Sequence, residues 1–203
     1  MADLLENNNI PVYLKGVDEG FTGHTYKEFK TWGDIRVELF NGMVYMMASS
    51  DEWHCWVQSN IIKQLSVQLE GKKCSVYAEF DVRLFYEEDE SDKTVFRPDI
   101  IVVCDEKKVL GKKNCEGTPD FIIEVMSEFS EGRDLVDKKK FYERAGVKEY
   151  WVITKHRVHV FILKEGLYYE GIEELNRNLK YSLTTLKGCY IDFAPFVDRY
   201  NVY

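Results

Sequence analysis

Several things are scarce or missing in this chain of 203 residues. Its five cysteines (55, 74, 104, 115 and 189) are odd in number and include no C-x-x-C pair, so no zinc site is apparent and all five are expected as reduced thiols. No apolar run approaches the roughly 20 residues of a membrane span. The opening MADLLENNNIPVYLKG is too polar for a signal peptide, which makes the cytoplasm the expected compartment. Lys and Arg number 27 against 35 Asp and Glu, a net charge of −8, which argues against a generally basic nucleic-acid coat but leaves room for a local basic channel. Internal repeats and low-complexity segments are missing too.

What is present is ordinary globular composition, 45% hydrophobic and 14% aromatic. The length suits one domain, residues 1–203, with room for a two-layer core. Residues 1–24 read as an N-terminal arm and the core as about 36–163. A short helix is expected over Thr25–Trp32, then a hairpin over Arg36–Met47 turning at Asn41-Gly42, a pair suited to a type I′ turn. Ser49, Ser50 and Asp51 offer caps for a helix to about Leu69, with Val57, Ile61, Leu65 and Leu69 as its apolar stripe. One or two strands fill Lys73–Phe85. A helix over 133–145 ends before Gly146, and strands follow at Glu149–Ile153, Arg157–Leu163 and Leu167–Tyr169. A short strand and a closing helix complete the order, which is that of a mixed α/β sheet.

Two of the strands are unusual. Ile100-Ile101-Val102-Val103 and Phe121-Ile122-Ile123-Glu124-Val125-Met126 read as strands buried on both faces, yet one begins at Asp99 and the other contains Glu124. A carboxylate placed there needs a partner. Their separation of 25 residues allows the strands to be neighbours, and two convergent carboxylates suit a divalent cation such as Mg2+, with Mn2+ as a substitute. Asp120 lies four residues from Glu124, about 13 Å at about 3.3 Å per residue, too far to share one ion. His156 and His159 fall on opposite faces of their strand and make a poor metal pair.

The helix after Glu124 has an odd feature of its own. At about 100° per residue, Asp134, Leu135, Phe141, Tyr142 and Ala145 all fall within about 60° of Lys138, while Lys139 and Lys140 turn about 100° and 200° away. Lys138 is thus centred on an apolar face and able to reach the acids, with Asp134 one turn earlier as a possible ion-pair partner or simply a first-turn acid favoured by the helix dipole.

A Pro-Asp followed by Glu-x-Lys is the signature of the restriction-endonuclease-like PD-(D/E)xK nucleases. Here Met126 fills the lysine slot, and Lys138 resembles a lysine displaced onto the helix. Further elements strengthen the likeness: Pro119-Asp120 before the Glu124 strand, Glu124-Val125-Met126-Ser127, Asp134-x-x-x-Lys138-x-x-x-Tyr142, and Ala145-Gly146-Val147-x-Glu149-Tyr150-Trp151. Together they resemble the bacterial Uma family, catalogued as restriction endonucleases and long as a domain of unknown function. Glu38 with Gly42, and His54, are similar to the family's N-terminal landmarks; Ser50 stands where the family's proline is expected. The likeness spans about residues 25–165.

The resemblance implies a restriction-endonuclease-like mixed central sheet flanked by helices, with an added N-terminal helix and β-hairpin. It implies a metal-dependent endonuclease acting on nucleic acid, with DNA favoured, Asp99 and Glu124 as ligands of the ion, and Glu38, Asp99, Glu124 and Lys138 as the catalytic set. His54 and Asp134 are accessory candidates, and a homodimer is expected by analogy. Each residue also has a bland reading: Asp99 as a turn cap, Glu124 as an ion-pair partner, Lys138 reaching solvent along its stem, Glu38 as an exposed hairpin residue, His54 as a cap or surface residue. The basic pairs Lys107-Lys108 and Lys112-Lys113 read as a solvated loop ahead of a phosphate contact. The alternative function is a catalytically inactive nucleic-acid- or protein-binding module that keeps the fold, supported by the charge of −8. A pure interaction protein has no positive signal.

Overall fold

A computed structural model of the chain describes residues 23–33, 35–126 and 134–200, apart from the side chains of 134–136. Most of the expected N-terminal arm, together with Ser127 and Arg133, lies outside the described residues. In chain order, a short helix α1 (Tyr26–Phe29) precedes the hairpin β1 (Val37–Phe40) and β2 (Met43–Met46), and a long helix α2 (Glu52–Leu69) follows. Then come β3 (Ser75–Ala78), β4 (Val82–Arg83), β5 (Val95–Phe96) and β6 (Ile100–Val103). A single 3-10 turn at Glu106–Lys108 and β7 (Cys115–Glu116) lead to β8 (Phe121–Val125). Helix α3 (Asp134–Ala145) precedes β9 (Glu149–Ile153), β10 (Arg157–Lys164), β11 (Leu167–Glu174), β12 (Lys180–Ser182), β13 (Tyr190–Asp192) and α4 (Ala194–Tyr200).

The two acid-bearing runs form the centre. β6 and β8 are buried along their whole length and pair antiparallel, with Ile100 opposite Ile123. They belong to a six-stranded sheet of order β11-β10-β9-β8-β6-β3, in which only β8 and β9 run parallel. A parallel pair needs a crossover, and α3 lies between its strands in the chain. Alternation sends Ile100, Val102, Phe121, Ile123 and Val125 to one face, where the Trp53–Val57–Ile61–Leu65–Leu69 stripe of α2 covers them. The opposite face carries Ile101, Val103, Ile122 and Met126, packed with Tyr142 of α3 and with Tyr150. Glu124 points to that second face, in step with Ile122 and Met126.

A second sheet, of order β2-β1-β5-β4-β7, brings the hairpin to the site. The expected run over 73–85 splits because Glu79 takes a positive φ of 44°, which sends β3 to one sheet and β4 to the other. The hairpin turn has φ of 51° at Asn41 and 86° at Gly42, the two positive values of a type I′ turn. Gly146, at φ 82°, closes α3 as expected. Helix α1 is shorter than expected: the chain leaves the helix after Phe29, while Trp32 and Phe29 pack beneath the hairpin with Val37 and Leu39.

One expectation fails. Cys74 and Cys104 are joined in a disulfide, with a Cα–Cα distance of 3.8 Å. β3 and β6 pair with Ser75 opposite Val103, so the next positions outward, Cys74 and Cys104, face each other across the ladder. An odd count of cysteines says nothing about pairs that strand register brings together. Cys55, Cys115 and Cys189 are free thiols. Among the described residues no helix is long and apolar enough to cross a membrane.

The hairpin that presents Glu38 depends on Gly42. A Cβ there would meet the Gly23 nitrogen at 2.9 Å and the His24 oxygen at 3.1 Å, at a φ that L-residues disfavour. Gly42→Ala is expected to lower unfolding free energy by about 2 kcal/mol or more in a urea titration. A loss below about 0.5 kcal/mol would contradict this packing.

Candidate active site

The end of the β6–β8 pair is where the ladder gives way to side chains. Continuing the register puts Asp99 opposite Glu124. The Val125 N–H donates to Asp99 Oδ2 at 2.6 Å, and the Asp99 N–H points to Glu124 Oε2 at 3.4 Å. Each acid is therefore seated on the other strand's backbone. The Asp99 carbonyl accepts from Gln58 Nε2 at 2.9 Å and from the Glu79 N–H at 3.1 Å, which fixes the start of β6.

Lys138 rises from α3 into this region and is 6% exposed. Its Nζ lies 2.8 Å from Glu38 Oε1 and 2.9 Å from Glu124 Oε1. Tyr142, one turn further along the same helix face, donates its hydroxyl to Glu124 Oε1 at 3.0 Å. Glu38, from β1 in the other sheet, also accepts the Arg97 N–H at 2.8 Å. Arg97 precedes Pro98 and holds Asp81 through two guanidinium nitrogens. The helical wheel's orientation holds: Lys138 is buried, whereas Lys140 is exposed.

His54 enters from the first turn of α2. Asp51 caps that helix by accepting the His54 N–H at 2.8 Å, which directs the imidazole toward the acids. His54 Nε2 lies 3.0 Å from Asp99 Oδ1, while its Nδ1 is buried with no hydrogen-bond partner among the described residues. The five groups Glu38, His54, Asp99, Glu124 and Lys138 line one cleft of about 330 Å³, which Arg36 also lines.

The charges are strongly coupled. Burial pushes the Lys138 ammonium toward losing its proton, but Glu124 and Glu38 outweigh it, so the group is held charged well above the usual lysine range. Burial pushes the Glu124 carboxyl up; Lys138 opposes this, while Asp99 and Glu38 add to it. One ammonium thus serves a cluster of acids. For His54, burial works against protonation, but the Asp99 hydrogen bond and charge prevail, and the imidazole is raised.

Other expected residues go elsewhere. Asp134 begins α3, but its side chain lies outside the described residues. Asp120 sits apart, bonded to Lys148 at 2.9 Å and to the Cys104 N–H at 2.8 Å. Of the loop lysines, Lys108 donates to the Thr118 carbonyl at 2.7 Å and Lys112 pairs with Glu116, so both are tied within the loop. His159 pairs with Glu170 at 3.1 Å. Three contributors were missed as site residues: Tyr142, Gln58 and Arg97. Tyr142 lies at i+4 from Lys138 on the apolar arc, and Gln58 at i+4 from His54, so helical spacing held a signal for both. Nothing local marks the Arg97 amide.

The donor chemistry can be tested against a metal. Among the described residues no group of three His, Cys, Asp or Glu side chains is placed to hold an ion. Asp99 and Glu124 form a pair of hard oxygen donors lining a cleft, which fits an ion such as Mg2+ that takes one or two carboxylates and keeps several waters.

Comparison with known proteins assigns the chain. The model of the Uma2 family, described as "Putative restriction endonuclease", matches residues 26–193. The chain belongs to this family. A crystal structure described as "a putative nuclease belonging to DUF820 from Anabaena variabilis" superposes with a TM-score of 0.69 at 13% identity, covering 86% of this chain and 98% of the other. The fold is therefore shared with that protein, in line with the architecture that the family resemblance implied. No match was found among curated proteins.

The ion-pair geometry makes a prediction about stability. Lys138→Met leaves Glu38 and Glu124 buried beside each other without their shared cation and is expected to cost about 3–5 kcal/mol. Urea unfolding at neutral pH measures it; a cost under about 1 kcal/mol would mean that the ammonium is not the partner of these acids.

Proposed function

We propose that this protein is a metal-dependent endonuclease that hydrolyses phosphodiester bonds of nucleic acid, with DNA as the substrate. The observation that carries this reading is the buried Lys138 ammonium beside Glu124 on the cleft that Asp99 also lines. Family membership and the shared fold support it.

In this reading Asp99 and Glu124 hold a Mg2+ ion, with Mn2+ as a substitute, aided by the Val125 carbonyl. A bound ion supplies Lewis acidity, lowering the pKa of a water and offsetting charge on the phosphoryl oxygens. Lys138 brings a fixed positive charge and hydrogen-bond donors to the same point, where they stabilise charge that develops during attack. Tyr142 fixes Glu124 by a hydrogen bond to Oε1. His54 orients Asp99 through Nε2, in the way that groups behind a metal ligand set its geometry. Arg36, at the cleft, supplies a contact for a backbone phosphate.

The second reading is a nucleic-acid- or protein-binding module that keeps the fold without turnover, and the net charge of −8 favours its protein-binding form because any nucleic-acid partner brings phosphates to the chain.

Purified protein incubated with plasmid and single-stranded DNA, and with RNA, is expected to cut DNA in Mg2+ or Mn2+ and not in EDTA. Asp99→Ala and Glu124→Gln are expected to lower the rate at least ~100-fold and to remove thermal stabilisation by Mn2+. Nucleic-acid binding with no metal-induced shift and no cleavage would favour the module; cleavage equal to wild type in both variants would defeat the assignment of these acids.

A further inference from the structure

Glu38 differs from the other two acids in where it comes from. Asp99 and Glu124 sit opposite each other on neighbouring strands of the six-stranded sheet, whereas Glu38 is delivered by β1 of the other sheet. Its Oε1 accepts two donors of this chain, Lys138 Nζ and the Arg97 N–H, each at 2.8 Å, much as Glu124 Oε1 accepts Lys138 Nζ and the Tyr142 hydroxyl. Among the described residues Glu38 does not join Asp99 and Glu124 in a group placed to hold an ion. The ammonium instead bridges Glu38 and Glu124.

Resting on the metal-dependent nuclease reading, we propose that Glu38 is a positioning residue that holds Lys138 in place, not a ligand of the ion. A lysine stem has four rotatable carbons, and one acceptor does not fix it. Glu124 is a poor sole anchor, because its oxygens also serve the ion. A divalent cation weakens its hold on the ammonium and repels the ammonium directly. Glu38 is an acceptor not shared with the ion, and its own seat on the Arg97 amide is backbone. In a chain where Met126 fills the slot for a strand-borne lysine, the hairpin acid does the holding that strand backbone would otherwise do.

The test is a double-mutant cycle of Glu38→Gln and Lys138→Met, read by DNA cleavage and by Mn2+ binding in calorimetry. Glu38→Gln alone is expected to lower kcat ~10- to 100-fold with KM unchanged. In the Lys138→Met background the same change is expected to alter neither the residual rate nor the Mn2+ affinity by more than about 2-fold. Lys138→Gln serves as the background if Lys138→Met does not fold. A fall in Mn2+ affinity from Glu38→Gln of the same size in both backgrounds, with additive losses in rate, makes Glu38 a ligand and overturns this role while the nuclease reading stands. Wild-type protein that neither binds Mn2+ nor cuts DNA overturns the nuclease reading, and the role of Glu38 with it.

Discussion

One ammonium adds a charged tie between parts of this protein that otherwise meet through apolar packing. Lys138 comes from α3, Glu124 from the six-stranded sheet and Glu38 from the hairpin of the second sheet, and both contacts are under 3 Å. A charge buried this deeply is tolerated only when paired and hydrogen-bonded. The hairpin must therefore reach the sheet, and the helix must turn this face inward. Phe96 and Tyr142 pack around the ammonium and the acids it serves, with the Phe96 centroid 5.7 Å from the Lys138 nitrogen. The apolar surroundings strengthen the pairing and make any vacancy in it expensive.

The sharing of that ammonium also sets the character of the site. Asp99 is supported from the α2 side by His54 and Glu124 from the α3 side by Tyr142. Two helices on opposite faces of one sheet thus converge on its end, α2 through its capped first turn and α3 through its middle. The protein from Anabaena variabilis shares this architecture at 13% identity, so the fold tolerates wide change in sequence. What this chain does with the fold is carried by its own side chains, as in any widely reused architecture.

Much of this was legible in the residues, for physical reasons. Double-sided burial wrote β6 and β8 as unbroken apolar runs, so Asp99 and Glu124 stood out against them. Helical spacing made Lys138 anomalous in the same way, and Asn41-Gly42 marked the hairpin turn. Features that arise from strands meeting in space were harder to read. Cys74 and Cys104 face each other only because β3 and β6 pair in one particular register. The partnership of Glu38 with Lys138 spans 100 residues and joins a hairpin strand to a helix, and no local pattern records it. Lys73–Phe85 holds two strands, within the one or two expected, but nothing local marks Glu79 as the break: Val76 packs on the α2 side and Phe80, Val82 and Leu84 in the opposite cluster.

The mutual seating of Asp99 and Glu124 on each other's backbone has a consequence for how faithfully the pair forms. A slip of one residue between β6 and β8 would turn every side chain of one strand to the opposite face. Both faces are packed, so such a slip would drive Ile100, Ile101 and their neighbours into the wrong layer while parting the two carboxylates. The apolar layers thus act as a proofreading device for the polar pair: any chain that has buried its core correctly has also aligned its acids.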